Sequence, residues 1–407
     1  MLRALPGGET LTPVTRLVLR PQREARIRGG HPWIYRTDVA RLDGVWSDGD
    51  AVTVSAADGR ILGRGFYNPR PQTVCRLVTR RDEPVDDAFF RRRLETAWAF
   101  RETLGYDGDA ARVVFGEGDL LPGLILDRYG DRLVLQALTR GMAARAGRLG
   151  ELAAEVTGAR AVYRRGDPTA AAIEGFDDAS GWLVGQGETV VEIREGPCRF
   201  HLDLEGGQKT GFYLDQRENR AAVGARAAGR TVLDAFAYTG AFAAWALRGG
   251  AASVLALDSS GAACARAAAH LAANIPPGGT PRHEVLEANA FDTLRVFERD
   301  RRRFDLIVLD PPPFTRRRAT LDAALRGYKE INLRALRCLA PRGLLATFSC
   351  SHHVSPALFE EICRAAGEDV GRPVRIAARL SQARDHPVLL AVPETRYLTG
   401  LLLESLD

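Results

Sequence analysis

The feature that most constrains this 407-residue chain is the pattern that begins at Arg230. Short apolar runs that end in an acid or a glycine turn alternate there with segments of helical length. Val232-Leu233-Asp234-Ala235-Phe236-Ala237 reads as a strand ending at the turn Tyr238-Thr239-Gly240, and Ala241 to Arg248 reads as the helix after it. Val254 to Asp258 is the next strand, and an alanine-rich helix runs on to Asn274. Residues 283–289, 304–310 and 343–349 supply three more strands, separated by helices. Strand–helix–strand repetition implies parallel strands, because a parallel pair needs a crossover long enough to return the chain to the same edge. The expected fold is a doubly wound, Rossmann-like α/β sheet, with its ligand at the carboxyl ends of the strands.

Asp258 lies 18 residues beyond Gly240, at the end of the second strand, where an acid commonly receives ribose hydroxyls. The first turn, Asp234 to Gly240, lacks the G-x-G-x-x-G glycines that bring backbone against a pyrophosphate, so a dinucleotide is disfavoured. S-adenosylmethionine (SAM) has no phosphate and carries a sulfonium cation, which tolerates an acid such as Asp234 in the first loop. Asp234, Gly240, Asp258 and Asn289 are therefore expected around one SAM crevice, with Asn289 against the adenine amino group. Their neighbours Phe236, Tyr238, Thr239, Ser259 and Ala290 are expected to line it too. Taken singly, Asp234 or Asp258 would more often be a loop acid capping the next helix. The strand pattern around both favours the ligand role. Gly206 to Thr210 superficially suggests a P-loop, but no glycine directly precedes Lys209 and the strand–turn–helix order is missing, so ATP is rejected.

Before this sheet lie two other textures. From Thr15 to Thr79 short strands punctuated by Gly and Pro imply a small β-barrel. His31-Pro32-Trp33-Ile34-Tyr35, Gly49 to Val54 and Gly63-Arg64-Gly65-Phe66-Tyr67-Asn68-Pro69 resemble the PUA domain, an RNA-binding pseudo-barrel. Residues 84–205 read as a mixed α+β segment without an evident acid, base or nucleophile. It has a helix over 88–104 and another near 143–156, and strands near 112–115, 124–126, 133–137, 161–163, 190–193 and 198–202. The division expected is 1–80, 84–205 and 206–407.

Charge is unevenly placed. Residues 1–80 hold 13 Arg against 7 acids, a net of +6, while the remainder is close to neutral at 43 basic against 44 acidic residues. A local basic excess favours a phosphate-backbone partner, although an ordinary solvated face would look the same from composition. The six cysteines include no C-x-x-C pair, which argues against both a disulfide framework and a zinc ribbon. No metal is expected: the adjacent His352 and His353 would point to opposite faces of an extended segment. No apolar run reaches the roughly 20 residues needed to span a bilayer, and the N-terminus lacks a signal peptide's apolar stretch, so a cytoplasmic protein with no membrane association is expected.

The stretch from Gly207 to Arg220, together with Asp234 to Gly240, Asp310-Pro311-Pro312-Pro313-Phe314 and Ser349-Cys350-Ser351-His352-His353, resembles the large-subunit ribosomal RNA (cytosine-5)-methyltransferase I family over nearly the whole chain. The resemblance implies a PUA domain, a central α+β domain and a class I SAM methyltransferase domain. It also implies a homodimer, a ribosomal RNA substrate, and a place near SAM for Tyr213, Gln216 and Arg220. One departure is Arg316-Arg317-Arg318, where the family often has lysines after its Asp-Pro-Pro motif. Attraction for the RNA backbone is preserved, but the geometry of the cation differs.

Carbon 5 of a pyrimidine takes a methyl group only after a nucleophile has added at carbon 6, and a thiolate suits that step. Cys350, closing a strand on the SAM-binding edge, is the candidate nucleophile. Asp310, at the end of the neighbouring strand and counted in the cofactor crevice as well, is placed to hold a proton against nitrogen 3 of cytosine. Cys338 and Cys363, inside predicted helices, read as structural thiols. Three alternatives stay open: a base amino-methyltransferase using Asp-Pro-Pro-Pro-Phe, a uridine-5 methyltransferase, and a non-catalytic RNA-binding assembly factor.

Overall fold

The computed structural model describes residues 15–206, 211–279, 281–314, 321–351 and 353–407. Lys209, the arginines at 316–318 and His352, singled out above, lie outside the described residues.

β1 (Arg16–Leu19), β2 (Trp33–Tyr35), β3 (Val39–Asp43), β4 (Ala51–Ser55), β5 (Ile61–Tyr67) and β6 (Thr73–Thr79) form one sheet in the order β2-β6-β5-β4-β1-β3. Ile34 from one edge strand shares a core with Leu17, Val52, Val54 and Val74, so the sheet curls around its own apolar face. β7 (Ala110–Phe115), β8 (Leu124–Tyr129), β9 (Arg132–Ala137), β10 (Ala161–Arg164) and β11 (Gly181–Val184) form a second sheet, ordered β11-β10-β9-β8-β7. The helices Asp87–Thr103 and Ala146–Thr157 pack on it. Asp86 starts the first of these by accepting a hydrogen bond from Phe89 N. The single helix expected near 143–156 is two, Arg140–Ala143 and Ala146–Thr157.

The curled sheet and the second sheet are welded together. Phe66 and Val78 of the first belong to the core of the second, and the buried carboxylate of Glu174 accepts from Asn68 Nδ2 at 2.7 Å and Arg76 Nη1 at 2.8 Å. A hairpin of β12 (Val190–Glu195) and β13 (Cys198–Asp203) leads into the third part of the chain.

That part is a seven-stranded sheet of β14 (Thr231–Ala235), β15 (Ser253–Asp258), β16 (Arg282–Glu287), β17 (Phe304–Leu309), β18 (Leu339–Ser349), β19 (Val374–Ser381) and β20 (Thr399–Ser405). The order is β16-β15-β14-β17-β18-β20-β19, with β16 to β18 mutually parallel and β20 antiparallel to both its neighbours. The strand order reverses between β14 and β17, which is where a doubly wound sheet opens a crevice. One apolar core lies on each face, which explains the nearly continuous hydrophobic runs of the central strands. The sequence shows five strands here and the structure has seven. β19 is an edge strand whose arginines, Arg375 and Arg379, obscure its alternation, and it is held in the sheet by β20. Among the described residues no helix is long and apolar enough to cross a membrane.

Candidate active site

The first loop is built under strain. β14 stops at Ala235 because Phe236 and Tyr238 take left-handed backbone conformations, at φ 65° and 49°. Bulky residues adopt that region at a cost that surrounding structure must offset, and such residues cluster at binding sites. Gly240, at φ 75°, opens the helix Ala241–Arg248, and a β-carbon there would sit 3.0 Å from that of Ala267. Asp258 holds the loop in place, accepting from Tyr238 N at 2.8 Å with one oxygen and from Ser260 N at 2.9 Å with the other. It thus ties the ends of β14 and β15 together while staying partly exposed. Ser259 beside it is exposed.

Asp258, Asp234 and Asp310 stand at or beside the ends of three consecutive strands, β15, β14 and β17. Asp234 is buried; one oxygen accepts from Ala243 N at 3.0 Å, in the first turn of the following helix, and the other has no partner. Burial first, and then the negative charges of Asp310 and Asp258, raise its pKa to about 8 against the helix hydrogen bond. One oxygen thus meets the capping role weighed for this residue, and the other is left without a hydrogen-bond partner.

Asn289 is exposed and caps the helix Ala290–Arg299 with its side-chain oxygen, which accepts from Phe291 N and Asp292 N. Its amide nitrogen carries no such duty. Phe291 and Phe236 meet edge to face at 6.1 Å, and Phe291, Phe314 and Tyr328 continue the row at 5.8 Å and 4.5 Å. This aromatic row behind the crevice escapes sequence reasoning, because its members come from the first loop, the Asp-Pro-Pro segment and two different helices.

Tyr213, Gln216 and Arg220 take three different positions. Tyr213 packs edge to face on Tyr238 at 5.5 Å, and its hydroxyl pKa is raised by burial and by the nearby Tyr238, Asp215, Asp310 and Cys350. Gln216 donates from Nε2 to Asp310 Oδ1 at 3.0 Å. Its orientation follows from Asn219, whose Nδ2 donates to the carbonyl of Ser381 at 2.9 Å and to Gln216 Oε1 at 2.6 Å. A backbone carbonyl can only accept, so Nδ2 must face it, Oε1 must face Nδ2, and the Gln216 amide must present a donor to Asp310. The helix Arg217–Gly224 and the turn before it put Gln216, Asn219 and Arg220 on one face.

Arg220 is a strut. It is 1% exposed, forks onto Glu195 at 2.7 and 2.6 Å, and reaches the carbonyl of Tyr213 at 2.9 Å. Its effect on the crevice passes through Tyr213. Glu195 also accepts from Trp245 Nε1 at 2.9 Å and lies 3.5 Å from Arg217 Nε. Asp215 is buried and accepts from Tyr397 Oη at 2.5 Å.

Cys350 follows the last residue of β18, with its Sγ 3.9 Å from the carbonyl of Pro311. It is the one cysteine of six that is not buried. Burial pushes the thiols of Cys75, Cys198 and Cys363 up to about 12 and that of Cys338 to about 11. His353 is exposed. Among the described residues no three His, Cys, Asp or Glu side chains gather as a metal site.

A crevice ringed by three carboxylates, with one buried oxygen unpartnered, is short of positive charge. SAM supplies two such charges, a sulfonium and an ammonium, so the donor set fits it. A family model described as S-adenosylmethionine-dependent methyltransferase matches residues 170–386, and a PUA-like domain model matches residues 17–80. A structure from Streptococcus mutans assigned as a SAM-dependent methyltransferase superposes with a TM-score of 0.81 at 20% identity, covering 96% of this chain and 99% of its own. Another, assigned as a methyltransferase and solved with S-adenosylhomocysteine, gives 0.83 at 20% identity over the same shares. The protein is a SAM-dependent methyltransferase with a PUA-like N-terminal domain. Ribosomal RNA large subunit methyltransferase I of Alteromonas mediterranea is 39% identical over 395 residues, 96% of this chain and 99% of that one. The enzyme of the same name from Shewanella amazonensis is 40% identical over 394 residues, 95% and 98% of the two chains. The chain belongs to the ribosomal RNA large subunit methyltransferase I family.

Proposed function

We propose that this protein forms 5-methylcytosine in large-subunit ribosomal RNA, with Cys350 as nucleophile and Asp310 as the acid that assists it. The observation that carries this reading is that Cys350 alone among six cysteines is only partly buried, at the strand end beside the Asp310-Pro311-Pro312 segment. The names of the relatives, the PUA-like start and the net +6 of residues 1–80 support RNA as the substrate.

SAM contributes an electrophilic methyl group. The Cys350 thiolate adds to carbon 6 of the cytosine ring while Asp310 holds a proton at nitrogen 3, so the electron pair displaced from the 5,6 double bond has somewhere to go. Carbon 5, now enamine-like, takes the methyl group and leaves S-adenosylhomocysteine. A base removes the carbon 5 proton, the double bond reforms, and Cys350 departs as thiolate. Gln216 keeps one oxygen of Asp310 occupied as an acceptor, which fixes how the carboxyl is turned.

RNA carrying 5-fluorocytidine tests the scheme, since fluorine cannot leave as the proton does. The wild-type protein should form a SAM-dependent covalent adduct that maps to Cys350 by mass spectrometry, and Cys350→Ala should lose methyl transfer while keeping SAM affinity. Full methylation by Cys350→Ala would refute the carbon-5 mechanism and move the reading to amino-methyl transfer. Trapping by 5-fluorouridine instead would move it to uridine.

A further inference from the structure

A recess of about 490 Å³ opens on the same sheet edge as Cys350, between the end of the helix Asp87–Thr103 and the strands β19 and β20. Its place follows from register. Ser349, the residue before Cys350, pairs with Thr399, and Thr399 pairs with Ser381; both partners line the recess. Neighbouring strands lie about 4.8 Å apart, so the recess begins one to two strand spacings from the thiol. That is a distance one nucleotide unit spans. Ser381 also accepts the hydrogen bond of Asn219 that orients Gln216 and, through it, Asp310.

The lining is in part apolar and in part cationic. Phe100, 39% exposed, and Val388, 37% exposed, are large apolar side chains left to solvent, with Leu104 and Leu398 beside them. The rim carries Arg379, Arg384 and Arg396 against the single acid Glu360. Arg379 is taken up by Glu360. Arg384 donates its Nε to Glu218 and has further donors to spare. Arg396 has no side-chain ion pair among the described residues. A partly exposed aromatic ring, with the Arg101 guanidinium 5.2 Å over it, beside further guanidinium donors suits a base and its phosphate, and single-stranded nucleic acid is bound by such pairs.

A ring enclosed in a duplex cannot reach a thiol at a sheet edge, so the methylated nucleotide must leave its stack and its neighbour must be held elsewhere. We propose that this recess holds the nucleotide next to the methylated one in an unpaired stretch of RNA, its base stacked on Phe100 and its phosphate between Arg384 and Arg396. The proposal rests on the RNA-methylating reading of the site above.

The test uses the full-length protein and an unmodified large-subunit ribosomal RNA transcript, with SAM affinity followed by calorimetry as the check on folding. Phe100→Ala should weaken RNA binding by about 5-fold or more, as loss of one aromatic stacking platform does, and Phe100→Trp should restore it. Arg396→Gln should lower the slope of log affinity against log salt by about 0.7, the share of one phosphate on a single strand. Making the nucleotide on one side of the trapped cytidine abasic should erase the Phe100→Ala effect, because the two changes remove the same contact. Unchanged affinity and salt slope in both variants, with methylation by the wild type intact, would overturn the recess and leave the enzyme's reaction standing. Equal losses on intact and abasic RNA would overturn it too. A wild-type protein that methylates no RNA would overturn the reaction itself and the recess with it.

Discussion

Replacing Asp234 by Asn should stabilise the SAM-free protein and at the same time weaken SAM binding. The substitution keeps an acceptor for Ala243 N, 3.0 Å away, and removes one negative charge from among three. Burial first, and the charges of Asp310 and Asp258 next, raise this carboxyl from 3.8 to about 8. At pH 7 the folded protein therefore holds a proton that the unfolded chain has released. Stability is highest below the unfolded pKa and falls as pH rises toward the folded one. A pKa unit is worth about 1.4 kcal/mol, so near pH 7 the acid withholds up to about 4 kcal/mol from the folded state. Asn escapes that penalty but still buries a polar group, so a gain of about 1–3 kcal/mol is expected.

Urea unfolding of the SAM-free protein between pH 5 and pH 8 reads the first half of this prediction: the wild type loses stability across the range and Asp234→Asn is flatter. Calorimetry reads the second half. A buried charge-assisted contact is worth about 1.5–3 kcal/mol, so SAM affinity should fall about 10- to 100-fold. Binding of a cation ionises the wild-type acid, so at pH 7 the wild type should release close to one more proton on binding SAM than the variant does. Comparing the two proteins removes the contribution of the SAM amino group, which titrates in the same range. An Asp234→Asn protein that is less stable across that range, or that binds SAM as well as the wild type, would refute the reasoning.

Two more outcomes follow from the supports of the site. Asn219→Ala should lower kcat about tenfold and leave KM for SAM unchanged, and Gln216→Ala with Asn219→Ala should be no slower than Gln216→Ala alone, as expected of residues acting in series on Asp310. Glu195→Gln leaves Arg220 and Arg217 buried without their counter-charge and should cost about 3–5 kcal/mol in urea unfolding, whereas replacing Glu195 and Arg220 together by Met should cost less.

The parallel sheet was legible because its central strands are buried on both faces, which writes them as unbroken apolar runs, and because an acid stands at or beside the end of three of them, Asp234, Asp258 and Asp310. Residues 304–309 and 254–257 needed nothing more. β19 was not legible: on a sheet edge, with exposed Arg375 and Arg379, it looks like a loop until β20 is seen beside it. Phe236 and Tyr238 could be placed in the first loop from sequence, but their left-handed backbone could not, since nothing in residue type asks for it. The sharing of a core between the N-terminal sheet and the next, through Phe66 and Val78, was equally hidden. It changes what a truncation at residue 80 would do, because the cut would open an apolar core instead of detaching an independent module.

The hardest distinction to draw from sequence is between a charge that meets a ligand and a charge that meets another charge. Asp234 and Arg220 show why. Both are almost fully buried, at 1% exposure each, and both belong to segments that resemble a SAM site. Asp234 has an unpartnered oxygen because the nearest groups on its own edge are two more acids, so its environment asks for a cation from outside. Arg220 asks for nothing, because Glu195, 25 residues earlier on a separate hairpin, forks onto it and Trp245 locks that carboxylate from behind. Glu195 shares the buried face of its alternating strand with Val191 and Ile193, an unusual place for an acid, and only the fold shows which cations meet it there. A residue's motif therefore places it near a cofactor, while the identity of its buried partner decides whether it touches one.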